Sequence, residues 1–127
     1  MSFQNPLARA KGLGSAHDGV HHWWWQKITA IMLLPLLAYL PISLALHSDF
    51  SREAMQAWLA QPLISIAVIS LLLSGFYHMW LGLQMIIEDY ISNRAWEVSL
   101  LIIARSICWL GGIAAVLAIV KNILSIV

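Results

Sequence analysis

Three apolar runs, each long enough to cross a lipid bilayer, decide what this chain can fold into. Ile28 to Leu46 and Pro62 to Ile87 contain no charged residue, and Val98 to Val120 contains only Arg105. A bilayer core is roughly 30 Å thick and takes about 20 apolar residues of helix to cross. Hydrocarbon offers backbone groups no partners, so each run must satisfy its own hydrogen bonds as a helix. The chain is therefore predicted to be an all-α integral membrane protein with three transmembrane helices, at about 28–46, 62–87 and 98–120. With 127 residues there is one domain: an N-terminal segment, 1–27, and a three-helix membrane domain, 28–127. An apolar content of 61% with only 10% charged residues fits lipid, and the net charge of +1 provides no basic surface for nucleic acid.

The connections are short. The first, His47 to Gln61, carries Asp49, Arg52 and Glu53, and is predicted to form a short interfacial helix with Met55, Trp58 and Leu59 on its apolar side. The second, Glu88 to Glu97, is a compact turn. Trp23, Trp24, Trp25 and Trp96 flank the spans where aromatic belts place indole rings, and simple anchoring accounts for them. Orientation follows from the cations. Arg9, Lys11, Lys27 and Arg94 lie on the side of the N-terminus and the second connection, against Arg52 and Lys121 on the other, which predicts a cytoplasmic N-terminus. The start lacks the apolar stretch of a signal peptide and the Arg-rich character of a transit peptide, so the chain is read as complete and bacterial, in the inner membrane. Cys108 has no partner cysteine, which excludes a disulfide framework and a cysteine-based metal site.

An ionisable side chain at membrane depth marks a candidate functional site. His78 lies ten residues before Glu88, so about 15 Å of helix separates it from the polar boundary. Gly75, His78, Gly82, Met85 and Asp89 fall on one helical face, with a glycine one turn to either side of the imidazole. Two readings stay open. The clearance suits a flat ligand held edge-on, such as haem with an axial histidine, and equally suits close helix packing with His78 hydrogen-bonded across the interface. A bis-histidine haem needs two imidazoles and this chain has one at depth, so a second copy or a different chain would supply the other.

At the end of the same helix stand Glu88, Asp89 and Tyr90. Acids and a tyrosine terminate many spans. A quinone headgroup at that depth would also need a donor, which Tyr90 provides, and a proton relay, which Asp89 provides. His21, Lys27 and Thr29 lie at the start of the first span. Lys27 is explained by the positive flank alone, or by the carboxylates of a haem pointing to that side. Arg105 would cost about 2.5–3.5 kcal/mol unpaired at the bilayer centre, and is expected to snorkel or to pair with a partner subunit.

The run HMWLGLQMIIEDY, His78 to Tyr90, resembles the second-helix signature of the small hydrophobic membrane anchor of succinate dehydrogenase (succinate:quinone oxidoreductase, complex II). The stretch GLGSAHDGVHHWWWQKITAI, Gly12 to Ile31, is similar to the approach to that family's first helix in its alphaproteobacterial branch. The resemblance implies half of a haem-binding helical bundle, completed by a larger cytochrome b anchor, with an iron–sulfur subunit and a flavoprotein docked on it. It implies His78 as the axial ligand of a shared haem b, His21 and Lys27 near the haem carboxylates, and Tyr90 and Asp89 at the ubiquinone site. Enterobacterial members carry Arg where Lys27 stands, so only a single-point charge contact follows there. Rival readings are a quinol:fumarate reductase anchor, a small proton-relay component using His78, Glu88 and Asp89, and a purely structural helical scaffold.

Overall fold

The computed structural model describes residues 16–125, so Arg9 and Lys11, which enter the orientation count, lie outside the described residues. Four helices follow one another: α1 (Ala16–Ala45), α2 (Arg52–Ala60), α3 (Pro62–Tyr90) and α4 (Arg94–Leu124). Three of them, α1, α3 and α4, are long and apolar enough to cross a membrane. At 1.5 Å per residue each spans roughly 43–47 Å, more than the hydrocarbon core requires. The surplus appears at the ends. Helix α1 already includes Val20 to Lys27, α3 carries Glu88 to Tyr90 in its last turn, and α4 begins at Arg94.

Local chemistry sets the boundaries. Ser51 caps α2, its hydroxyl accepting from Ala54 N–H at 3.3 Å. Gln61 ends α2 and precedes α3, and Pro62 at the first helical position of α3 lacks only an N–H that would be unpaired anyway. Asn93 caps α4, accepting from Ala95 N–H at 3.0 Å and Trp96 N–H at 3.4 Å. Only Ile91, Ser92 and Asn93 separate α3 from α4, so the two form an antiparallel hairpin.

Helix α3 lies between its neighbours. It packs against α1 and against α4, whereas the backbones of α1 and α4 do not come within 8 Å of each other among the described residues. The reason is angular. Gly75, His78 and Gly82 meet α1, while Phe76 lies against Gly111 and Gly112 of α4. Phe76 and His78 are about 200° apart around the helix axis.

A small apolar core closes the end carrying α2: Leu40 of α1, Trp58 of α2, and Ile64 and Ala67 of α3 are buried together. Trp58 joins α2 to α1 by donating its indole N–H to Ser43 Oγ at 3.1 Å. Met55 and Leu59 are half-buried beside it, so the amphipathic helix expected in the first connection forms with the expected face inward. Elsewhere large apolar side chains point outward, including Leu34, Leu37, Ile107 and Leu110. That is the surface of a layer of helices solvated by lipid or by further helices, not of a molecule closed in water.

Candidate functional site at the Trp23–Trp25 end

His78 sits near the middle of α3 and turns toward α1. Its Nδ1 is 2.8 Å from Thr29 Oγ1 and its Nε2 is 3.3 Å from Gln26 Nε2. Thr29 is buried, and its hydroxyl lies 2.8 Å from Trp25 O and 3.1 Å from Gln26 O. A hydroxyl has one proton. If that proton goes to the carbonyls of the preceding turn, Thr29 accepts from His78 Nδ1–H, and Nε2 keeps a lone pair toward the Gln26 amide. Histidine ligands to metals are commonly held this way, with one nitrogen donating to a fixed acceptor and the other left to bind.

The glycine face is occupied by α1. A methyl group at Gly75 would stand 3.9 Å from Leu33 Cδ2, and one at Gly82 would stand 3.7 Å from Gln26 Nε2, both ordinary contact distances. Within this chain the two glycines therefore border the α1–α3 interface. Gln26 Oε1 and His22 Nε2, on the same stretch of α1, are buried with no hydrogen-bond partner.

Between the separated ends of α1 and α4 a groove of about 830 Å³ opens over α3. Its floor is the α3 face midway between the two packed faces, Tyr77, Leu81, Gln84 and Glu88, with Trp80, Met85 and Asp89 at its edges. One wall is His21, His22 and Trp25 of α1, and the other is Leu101, Ile102 and Arg105 of α4. His21 Nε2 accepts from Trp25 Nε1 at 3.0 Å. Gln84 donates to Glu88 Oε1 at 2.8 Å. The Arg105 guanidinium lies 5.8 Å from the Trp80 ring centroid, an attractive cation–π separation, so it rests on an indole inside the groove.

Of the residues singled out from sequence, His21 and Asp89 line this groove and His78 lies on the adjoining α1 face of α3. Tyr90 is 80% exposed at the end of α3 and stands outside the groove. Lys27 is exposed on the flank of α1 away from Thr29, its Nζ 5.5 Å over the Trp23 ring. Among the described residues no three His, Cys, Asp or Glu side chains converge as a metal-binding group. Sequence reasoning passed over Gln26 and His22, and nothing in their local pattern separates them from polar residues that simply begin a span.

Comparison with known proteins agrees with this architecture. The family model described as "Succinate dehydrogenase/Fumarate reductase transmembrane subunit" matches residues 1–119. A protein of Rickettsia conorii named succinate dehydrogenase hydrophobic membrane anchor subunit is 30% identical over 118 residues, 92% of this chain and 94% of that one. The protein of the same name from Rickettsia bellii is 33% identical over the same shares. That of Paracoccus denitrificans is 30% identical over 90 residues, 71% of this chain and 70% of its own. No solved structure gives a significant match. The chain belongs to the succinate dehydrogenase/fumarate reductase transmembrane subunit family, and it is a multi-pass membrane protein of the hydrophobic anchor type.

Proposed function

We propose that this chain anchors a succinate:ubiquinone oxidoreductase in the bacterial inner membrane, with its N-terminus cytoplasmic, and supplies His78 as one axial ligand of a haem b shared with a larger cytochrome b anchor. The observation that carries the proposal is the pairing at His78: an imidazole at mid-span, tied through Nδ1 to buried Thr29, with Nε2 at 3.3 Å from the Gln26 amide nitrogen. The donor set suits half of a bis-histidine site, since one imidazole comes from this chain and the other must come from the second anchor. Haem, when bound, supplies one-electron redox capacity beside the quinone site.

The chain's own residues have three tasks in this reading. The α1–α3 interface holds His78 at depth and excludes water from it. The groove, with Asp89 and Glu88 at its polar end, supports a ubiquinone headgroup from one side, Asp89 relaying a proton and Tyr90 donating to a quinone carbonyl once the partner anchor and the iron–sulfur subunit cover that end. His21 is the first candidate to hold a haem carboxylate because it lines the groove, and Lys27 adds positive charge on the flank. Succinate oxidation belongs to the flavoprotein.

The test is a succinate-reduced minus oxidised visible spectrum of the complex purified through this chain from native membranes. A b-type band that disappears in His78→Ala is expected. No band with succinate or with dithionite, in an intact preparation, would overturn the haem assignment.

A further inference from the structure

The environment of His78 contains a polar contact that axial ligation alone does not require. Thr29 and Gln26 approach the two ring nitrogens from successive turns of α1, and Thr29 is the more deeply buried of the pair, at 4% exposure. The hydroxyl lies 2.8 Å from a carbonyl of its own helix and 2.8 Å from His78 Nδ1. One proton cannot serve both contacts, and donation to the carbonyl leaves the imidazole as donor. The carboxamide at Nε2 is held differently. Its contact is long at 3.3 Å, and its oxygen is buried without a partner. One nitrogen is thus tied to a well-satisfied acceptor and the other to a poorly satisfied cap.

We infer that Thr29 is a positioning residue that holds His78 as the Nδ1–H tautomer with its ring plane fixed, and that Gln26 is an exchangeable cover over Nε2, displaced when a metal ligand bond forms there. The inference rests on the axial role proposed for His78. Accepting the Nδ1 proton makes Nε2 a stronger donor, which favours the oxidised metal, so Thr29 also sets the redox potential of the bound group. Gln26 has no such influence once displaced.

Two measurements test this. In the full chain labelled with ¹⁵N-histidine and purified without haem, the His78 signal, identified by its loss in H78A, is expected to show a protonated Nδ1 and a bare Nε2. A protonated Nε2 would overturn the inference. In the intact complex, T29V is expected to raise the haem midpoint potential and to let carbon monoxide bind the reduced haem, whereas T29S behaves as wild type and Q26A keeps both the band and the potential. An unchanged potential and continued resistance to carbon monoxide in T29V would overturn the role of Thr29 while leaving His78 as ligand. A band that survives H78A would instead overturn the axial assignment itself. Should T29V fail to accumulate, the tautomer measured in the unmutated chain decides.

Discussion

Phe76 of α3 lies directly on the bare Cα of Gly111 in α4: a methyl group at that position would stand 2.8 Å from Cε1 of the ring. The contact has no slack, and it lies within the α3–α4 hairpin that sets the position of the groove wall. Gly111→Ala is expected to destabilise the bundle by about 1–3 kcal/mol, the usual range for overpacking. Gly82→Ala, whose added methyl meets Gln26 at 3.7 Å, is expected to change stability far less. Thermal unfolding in detergent, followed by circular dichroism, compares the two, and Phe76→Leu should restore much of what Gly111→Ala loses.

Trp58 is the side chain through which α2 reaches α1. Trp58→Phe removes the bond to Ser43 while keeping most of the buried area, and should cost about 0.5–1.5 kcal/mol. Trp58→Ala also empties the core formed with Leu40, Ile64 and Ala67, and should cost about 3–5 kcal/mol. Equal losses in the two variants would mean that the hydrogen bond, not the packing, holds α2 in place.

Asp49 gives the α2 end a pH response. The Ser51 backbone N–H, at 2.8 Å, and then the Ser51 hydroxyl, at 3.0 Å, hold its carboxylate below the ordinary range. A carboxylate whose pKa is depressed by folding stabilises the fold above its unfolded pKa and loses that contribution as pH falls through the folded value. Hydrogen-exchange protection at Ser51 is therefore expected to be constant from pH 7 down to about pH 5 and to fall only below about pH 4. Asp49→Asn should flatten this acid transition.

Asn93 is expected to matter for the first turn of α4 alone. Its side chain satisfies two amide groups, so Asn93→Ala should cost about 0.5–2 kcal/mol and speed exchange at Ala95 and Trp96. Asn93→Asp, which keeps the acceptor, should retain the protection.

The three spans were legible because a bilayer demands a long uncharged run and Ile28–Leu46, Pro62–Ile87 and Val98–Val120 meet that demand. Their ends were less so. Helix α1 includes His21 to Lys27, where indole rings and polar side chains dilute the apolar signal although the backbone remains helical. The common face of Gly75, His78 and Gly82 was also legible, since it follows from helical spacing. What covers that face was not. The pairing of Thr29 with His78 depends on how α1 slides along α3, and no pattern within a single helix encodes the register between two. Lys27, one residue on from Gln26, is turned by about 100° around α1 and places its Nζ over the Trp23 ring. Arg105 rests on Trp80, a neighbour that becomes visible only once the hairpin is closed.

The separation between the backbones of α1 and α4 among the described residues has a consequence for the order of biogenesis. As the chain emerges from the ribosome, α1 enters the membrane first, and Gln26 and Thr29 meet His78 only when α3 follows. Helix α4 arrives last and binds the far side of α3, leaving the first interface undisturbed. If His78 ligates a haem as proposed, a loading step that needs its Nε2 uncovered can take place after α3 inserts, without α4 being displaced.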